Sequence, residues 1–389
     1  MYYWNKSNVK WQKSYISSVF SEMKEENTNF TNKLLSDMDL LNSKSVHLPR
    51  SLFRFYPLTA NNIIDIKSKK IWLSDPNSFN DPYDCNIGYN SVEYEKKELL
   101  KYLKVNGLIG DNKEMISDPE YWKLYHSIHT EVDYSHKEYR DVKREVLKHK
   151  SENFKSLIFD VTKRIESELD DKIRTINSQN IRVACFSGFD NFNDVNDKLE
   201  MWAHYADNHK GICVEYYISS LKQELLLKHH VAERFEKENE CIEERINATI
   251  KCGLFPIIYT SNRVKMPYTK LLKVKDVDSN TNMINEKLYK SYITKSTKWS
   301  YEKEWRLLVD SKTSNYFSNK ISFPFIKRIY LGCNVERHNL ELLFDIANEL
   351  DIEIYQMRMK SNKFSLDVYP LDDYYVYKNR YLNNWPYDV

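Results

Sequence analysis

The chain has 389 residues, which is enough for one enlarged domain or two smaller ones. Its 58 lysines and arginines nearly balance 56 acidic residues, so the net charge of +2 excludes a global positive field for nucleic acid or an anionic membrane. Six cysteines without a CxxC pair, and a start (MYYWNK) without a signal-peptide core, predict a cytoplasmic protein. No apolar stretch approaches the roughly 20 residues that span a bilayer, so we expect no membrane insertion.

The first third of the chain predicts helices followed by two strands. Residues 8 to 45 have apolar positions three and four apart and no proline, which indicates one or two amphipathic helices. The segments LFRFYP (52–57) and IWLS (71–74) are typical of strands, with a helix from about Asn61 to Ser68 between them. The segment DPNSFNDPYD (75–84) is a turn-rich loop, and residues 91 to 175 form a helical insertion.

The middle of the chain alternates strand and helix. IRVACFS (181–187) and ICVEYY (212–217) are predicted strands, and a helix across Lys198 to Asp207 lies between them. Gly211 is the expected left-handed residue that terminates this helix. A charged helical block follows over 218 to 252, and FPIIYT (255–260) is the next predicted strand.

The last third predicts a helix ending near Lys295, a helix over 337–349, and strands at EWRLLV (304–309), IKRIYLG (326–332) and EIYQMRM (353–359). Short strands separated by helices of uneven length favour an α+β fold with a central mixed or mostly antiparallel sheet. We expect an N-terminal helical extension (1–48), a core (49–370) with insertions near 91–175 and 218–252, and a tyrosine-rich tail (371–389).

The first group of candidate site residues surrounds Arg54. A buried arginine is costly unless it meets an anion, so Arg54 either pairs with an aspartate of the 75–84 loop or holds a phosphate or carboxylate ligand. Ser74, Asn80 and Asp81 are candidates for the same ligand. The alternative is that aspartate and asparagine in this loop cap their own backbone in Asx-turns.

The second group lies on the predicted helix and at its end. Trp202 lies on the predicted buried face of this helix, and a tryptophan at such a position is more often a core residue than a ligand contact. His204 is a candidate acid or base, although a lone helical histidine is commonly a packing residue. Tyr205 and His209 are candidate ligand contacts, but a cation beside the last carbonyls of a helix is favourable without any function.

The third group is in WSYEKEWRLLV, where strand alternation predicts Glu302, Glu304 and Arg306 on one face. Two carboxylates at this spacing could share a proton, bind a metal or stabilise a developing cation. Tyr301 is a further candidate ligand contact. The alternative is a solvated edge strand in which Arg306 neutralises one glutamate. The dinucleotide, P-loop, zincin and serine-hydrolase motifs are absent from the sequence, and no zinc centre is predicted.

Six segments in chain order resemble the bacterial domain-of-unknown-function family 2971 (DUF2971): LFRFYP, IWLSDPNSFNDPYD, VACFSG, MWAHYADNHKGICVEY, KWSYEKEWRLL and IYLG. The resemblance covers Leu52 to Gly332 but not the long insertion, and it implies no particular activity. It places twelve residues at the family's characteristic positions: Arg54, Ser74, Asn80, Asp81, Trp202, His204, Tyr205, His209, Gly211, Glu302, Glu304 and Arg306.

A second resemblance is to ADP-ribosyltransferases, through an arginine on the first core strand, a serine on a following strand and a late Glu-x-Glu. It implies NAD as substrate, with Arg54 on the phosphates or ribose and Ser74 on the ribose. Tyr205 or Tyr301 would stack on the nicotinamide ring. Glu304 would stabilise the oxocarbenium-like transition state, and Glu302 would activate the nucleophile.

Three hypotheses follow for a protein whose partner is a nucleotide-like small molecule. The first is NAD-dependent ADP-ribosyl transfer to a protein or nucleic-acid target, or NAD hydrolysis, by a bacterial toxin or phage-defence effector. The second is a magnesium-dependent nuclease that uses Asp75, Asp81 or Asp84 together with Glu302 and Glu304, and Lys210 on the scissile phosphate. The third is a non-catalytic nucleotide sensor or binding module, which would be stabilised by ligand without turnover.

Overall fold

The computed structural model describes residues 6–22, 38–90, 92–105, 140–141, 143–144, 152–189, 192–219, 242–272, 274 and 282–371. The helices in this part of the chain are α1 Lys6–Glu22, α2 Met38–His47, α3 Ala60–Lys67, α4 Val92–Val105, α5 Glu152–Asn180, α6 Leu199–Tyr205, α7 Ile242–Gly253, α8 Tyr268–Leu271, α9 Asn282–Tyr292, α10 Ser311–Tyr316 and α11 Arg337–Leu350. None of the described helices is both long enough and apolar enough to cross a membrane.

Fourteen strands occur in the described residues: β1 Ser51–Tyr56, β2 Lys70–Trp72, β3 Gly88–Asn90, β4 Ile181–Ser187, β5 Ile212–Tyr217, β6 Leu254–Pro256, β7 Ile258–Thr260, β8 Lys265–Pro267, β9 Thr294–Ser296, β10 Glu304–Asp310, β11 Lys320–Ser322, β12 Ile326–Leu331, β13 Glu353–Met359 and β14 Leu366–Pro370. Short 3-10 helices cover Pro76–Ser78, Phe192–Val195 and Thr297–Glu302.

The chain divides into two compact units. The first unit contains Met1–Asn80, Asn180–Asn262 and Ile293–Val389, and the second contains Asp81–Gln179 and Arg263–Tyr292. The extension, core and tail expected from the sequence stay predictions. Of the tail, only Leu371 lies among the described residues.

An eight-stranded sheet forms the centre of the first unit, in the order β14-β13-β12-β5-β1-β4-β10-β6. Its neighbouring strands are antiparallel except for β12 and β13, which are parallel. The predicted α+β fold with a mixed, mostly antiparallel sheet is therefore confirmed. Apolar, β-branched and aromatic residues dominate the central strands, as in ICVEYY of β5, because both faces of the sheet are covered.

The two faces of this sheet carry different layers of the core. On the α11 face, Leu52, Tyr56 and Phe186 pack in one cluster with Leu340 and Leu343 of α11. On the α6 face, Phe53, Phe55 and Cys213 pack with Met201 and Trp202 of α6. Because side chains alternate along each strand, neighbouring residues of β1 belong to opposite faces.

The N-terminal helices α1 and α2 pack within the first unit. Trp11 stacks on His47 at a ring distance of 3.9 Å and lies 6.5 Å from the ring of Trp305. Tyr15 lies 6.4 Å from Phe255. The predicted helices of residues 8 to 45 are confirmed where they are described, and residues 23–37 lie outside the described residues.

The second unit contains α4, nearly all of α5, α8, α9 and the parallel pair β3–β8. Within this unit, Tyr89 donates to Asp170 at 2.9 Å and Arg263 donates to the Asn86 carbonyl at 2.9 Å. The stretch predicted to be helical near 91–175 contains α4 and α5, its assignment as an insertion stays a prediction, and residues 106–139 lie outside the described residues.

Two boundaries differ from the predictions, and a third prediction is described only in part. FPIIYT is not one strand. The Ile257 N–H still donates to the Glu304 carbonyl of the main sheet, but the chain leaves that sheet after Ile257, and β7 pairs with β9. The charged block predicted over 218–252 is helical at α7, and residues 220–241 lie outside the described residues. The helix expected to end near Lys295 ends at Tyr292, so Lys295 lies on β9.

Candidate active site

A buried lysine joins the two glutamates of the third sequence group. The Lys295 Nζ atom donates to Glu302 Oε2 at 2.7 Å and to Glu304 Oε2 at 3.0 Å, and all three side chains are buried. The Ser296 hydroxyl accepts from the Lys298 N–H at 3.4 Å and caps the 3-10 helix that ends at Glu302. Lys303 then takes a left-handed conformation (φ 45°) that turns the chain into β10, which begins at Glu304.

Glu304 is held by a second cation. Arg306 Nε donates to Glu304 Oε1 at 2.6 Å and its Nη2 donates to Oε2 at 3.2 Å, which is the bidentate geometry typical of strong arginine–carboxylate pairs. Arg306 is fully buried, and the Phe79 ring lies 5.5 Å from its guanidinium carbon. The Tyr259 hydroxyl accepts from the Glu304 N–H at 2.8 Å. The solvated edge strand considered above is therefore wrong, because β10 lies between β4 and β6 and is buried along nearly its whole length.

Glu302 is connected to the surface through aromatic residues. The Tyr205 hydroxyl, at the end of α6, donates to Glu302 Oε1 at 2.7 Å, and its ring is half-buried. The Trp299 ring lies 4.9 Å from Lys295 Nζ, 6.0 Å from the Tyr301 ring and 6.3 Å from His204, which is exposed. These rings form the outer side of the cluster.

The two glutamates have opposite pKa shifts. Burial and the negative charge of Glu304 raise the pKa of Glu302 to about 7, against the opposing effect of Lys295. Burial also acts to raise the pKa of Glu304, but the positive charges of Arg306 and Lys295 outweigh it and lower that pKa to about 2. Near neutral pH, Glu302 therefore gains and loses a proton while Glu304 stays ionised. Burial and the Glu302 charge raise the pKa of Tyr205, so its hydroxyl keeps its proton.

The structure brings together Glu302, Glu304, Arg306 and Tyr205 of the predicted site residues, and it places Tyr301 and His204 beside them. Burial, followed by the charge of Glu302, raises the pKa of Tyr301 to about 12. Lys295, Tyr259 and Trp299 were not predicted as site residues. Lys295 was assigned to the end of a helix, and the only signal for a strand there is the β-branched and aromatic character of SYITKST.

Arg54 lies on the other side of the sheet from the glutamates. It stacks over Tyr56 and Phe186, which belong to the α11 face. Trp305 and Leu307 also lie on the α11 face, so alternation directs Glu304 and Arg306 to the α6 face. The expectation that Arg54 and Glu304 hold one ligand is therefore wrong, because the sheet separates their side chains.

The remaining residues of the first group have local roles. Ser74 forms an isolated bridge with Val183 of β4, through bonds of 2.8 and 2.9 Å. Asp75 caps the 3-10 helix Pro76–Ser78, and Asn80 is exposed. Asp81, in the second unit, accepts from the Tyr83 N–H at 2.9 Å, as expected of an Asx-turn.

Trp202 and His209 lie at the inner side of α6. Trp202 is fully buried, donates to the Val195 carbonyl at 3.2 Å and packs edge-on against Phe55, which is a core position. His209 is half-buried with its ring 6.3 Å from Trp202, and burial lowers its pKa. Its Nδ1 atom has no hydrogen-bond partner among the described residues.

The turn after α6 differs from the prediction. The left-handed residues are Asp207, Asn208 and His209, with φ of 45°, 52° and 68°, and not Gly211. Gly211 is required for another reason, since a Cβ there would collide with the Tyr56 carbonyl oxygen.

No group of three or more histidines, cysteines, aspartates or glutamates within the described ranges is placed to hold a metal ion. Between Glu302 and Glu304, the Lys295 ammonium takes the position that a cation would occupy. The aspartate and glutamate set of the nuclease hypothesis is therefore not assembled in the described part of the chain.

Comparisons with known proteins agree with one of the two resemblances. No curated protein sequence is significantly similar to this chain. No solved structure is significantly similar to it either. Residues 201–307 match the family described as "Protein of unknown function (DUF2971)", which confirms that resemblance over the segment carrying Tyr205, Lys295, Glu302, Glu304 and Arg306.

Proposed function

We propose that the protein is an enzyme in which Glu302 transfers a proton near neutral pH while Glu304 stays ionised. One observation carries the proposal: two carboxyl groups that share the Lys295 ammonium have pKa values of about 7 and about 2. Environments that separate the pKa values of two carboxyls assign one to proton transfer and the other to electrostatic stabilisation, as at sites that cleave glycosidic bonds.

The finer part of the proposal is that the substrate is NAD and that the bond between its ribose and nicotinamide is cleaved. The Glu-x-Glu pattern of the ADP-ribosyltransferase resemblance supports this choice. In that step the electron pair of the C1′–N bond passes to the positively charged nicotinamide ring, which leaves as the neutral molecule. Water or a hydroxyl of a target forms the new bond to C1′ and gives its proton to the Glu302 carboxylate.

The Tyr205 hydroxyl provides the route between the buried carboxylate and the nucleophile. It donates to Glu302 Oε1 from a half-buried ring, so it can pass its proton to the Glu302 carboxylate as it takes the proton of the nucleophile, and the hydroxyl is protonated before and after the step. Glu304 is fixed by Arg306 and Lys295, and burial together with the Glu304 charge keeps the pKa of Glu302 near neutrality.

The test is release of nicotinamide from labelled NAD by the purified protein, with and without cell lysate. We expect release by the wild type, with a rate that rises with pH through about 7 as Glu302 becomes the ionised base. We expect a loss of about 100-fold or more in Glu302→Gln, the range that a general base contributes. Tyr205→Phe should be slower than the wild type but more active than Glu302→Gln.

Glu215→Gln is the matched control. Glu215 is also a buried carboxylate of the same sheet, and it accepts from Ser51 at 2.6 Å and Tyr330 at 2.8 Å beside Arg328. This variant should retain the wild-type rate if it folds. Activity in Glu302→Gln equal to the wild type would overturn the assignment of Glu302, and an absence of nicotinamide release by the wild type would overturn NAD as the substrate.

A further inference from the structure

The Arg54 guanidinium on the α11 face is fixed in place but makes few hydrogen bonds. It lies 5.1 Å from the ring centre of Tyr56 and 5.8 Å from that of Phe186, so two aromatic rings hold it. Within the described residues its hydrogen bonding consists of one contact, from Nη1 to the Trp72 carbonyl at 3.3 Å. The other N–H groups of the fork are available to an acceptor.

No carboxylate in the described part of the chain forms an ion pair with Arg54. Asp65 is buried. It lies in the same region as Arg54, because the charges of both residues act on the Tyr56 hydroxyl. Asp65 is instead bonded to Lys320 Nζ at 2.6 Å. An anionic ligand would supply the counter-charge that Arg54 lacks among the described residues.

Two buried tyrosines add a further donor beside the guanidinium. The hydroxyls of Tyr56 and Tyr216 are 2.7 Å apart, and both side chains are buried. One of the two hydroxyls donates its hydrogen to the other. The hydrogen of the accepting hydroxyl has no acceptor among the described residues. The charge of Arg54 acts on both hydroxyls and opposes the rise in pKa that burial causes. Donors therefore exceed acceptors in this region.

We propose that Arg54 and the Tyr56–Tyr216 hydroxyl pair bind the phosphate of a nucleotide at a second site, on the α11 face, separate from the candidate active site. A phosphate group offers several acceptor oxygens and matches the planar guanidinium fork. The side chain of Trp72, whose carbonyl accepts from Arg54, is 42% exposed, and Lys320 Nζ lies 5.8 Å from its ring. This ring is available to stack on the base of the nucleotide.

The test is calorimetric titration of the full-length protein with AMP and, separately, with orthophosphate at low ionic strength. We expect both to bind, with AMP the tighter ligand because its base stacks on Trp72. Arg54→Gln should lower the affinity for both ligands by about tenfold or more, since a charged hydrogen-bonding partner is removed. Trp72→Ala should weaken AMP and leave orthophosphate unchanged.

Arg358→Gln is the matched control, because Arg358 is another half-buried guanidinium of the same sheet, stacked 4.6 Å from the Tyr369 ring. It should bind both ligands as the wild type does. Thermal unfolding of each variant identifies any that fail to fold, and Arg54→Lys, which keeps the charge but loses the fork, replaces Arg54→Gln if needed. Equal binding by folded Arg54 variants, or no binding of either ligand by the wild type, would overturn the proposal.

Discussion

Glu302 and Glu304 show how two identical residues two positions apart acquire different chemistry. Glu304 has both cations: the guanidinium of Arg306 contacts its two oxygens, and Lys295 contacts one of them. Glu302 shares Lys295 and otherwise accepts from the neutral Tyr205 hydroxyl. Burial disfavours the charge of both, but only Glu304 receives enough positive charge to outweigh it.

The raised pKa of Glu302 predicts a pH-dependent stability. Its carboxyl has an ordinary pKa of 4.5 and a pKa of about 7 in the folded protein. Between these values the unfolded chain releases the proton and the folded chain retains it, so the free energy of unfolding falls as the pH rises. Glu302→Gln lacks this titration. Its stability relative to the wild type should therefore increase by on the order of 1–3 kcal/mol between about pH 5 and pH 8.

Chemical denaturation of the wild type and Glu302→Gln across this range measures the difference directly. The difference between the two proteins is informative even if the glutamine variant is less stable at every pH, since a lost bond to Lys295 or Tyr205 shifts its curve without changing the slope. Parallel curves would mean that Glu302 is ionised throughout, and they would remove the basis for its role in proton transfer.

At the scale of elements, the turn between α6 and β5 sets the position of Tyr205. Three consecutive left-handed residues reverse the chain immediately after α6, and their carbonyls are used, since Asn334 donates to His209 at 3.0 Å and to Asn208 at 3.3 Å. Gly211 passes beneath the Tyr56 carbonyl, and Gly332 passes beneath that of His209. Close backbone packing, and not glycine flexibility, therefore explains both glycines.

This assignment predicts opposite effects for two substitutions in the same turn. Gly211→Ala should destabilise the protein by about 1–3 kcal/mol or more, because the added methyl group collides with backbone that cannot move independently. Asp207→Gly should be neutral or stabilising by up to about 1 kcal/mol, because Asp207 is exposed and already has a positive φ. Urea denaturation of both variants checks this. A destabilising Asp207→Gly with a neutral Gly211→Ala would contradict both the left-handed conformation of Asp207 and the close backbone contact at Gly211.

Most elements, but only part of the site, are predictable from the sequence. Strands such as β4, β5 and β13 are bounded by clear patterns, and alternation correctly places Glu304 and Arg306 on one face. Alternation within β1 does not reveal whether the Arg54 side chain lies on the same face of the sheet as Glu304 and Arg306. That depends on strand order and register. The sequence also does not identify Lys295 as a site residue, because a buried lysine is recognised only when the fold shows its carboxylate partners.

At the scale of the whole molecule, the N-terminal helices are tied to the sheet region of the first unit through a buried lysine. Lys44 of α2 is fully buried, and its Nζ atom donates to the carbonyl oxygens of Lys251 and, at 3.2 Å, of Cys252. These carbonyls belong to the last turn of α7, where the helix has no internal donors for them. Burial lowers the pKa of Lys44 to about 8, and the two carbonyls are the acceptors that a buried ammonium group requires.

Lys44→Ala should therefore destabilise the protein by about 1–3 kcal/mol, because the carbonyls of Lys251 and Cys252 lose the bond from Lys44 and a cavity remains. Lys67→Ala is the matched control. Lys67 also lies in the last turn of a helix and pairs with Glu349 at 2.7 Å, but both side chains are 54% exposed. Its loss should cost less than about 0.5 kcal/mol. Thermal and urea unfolding of the two variants measure the contrast, and equal stabilities would mean that α2 is not anchored to α7 in solution.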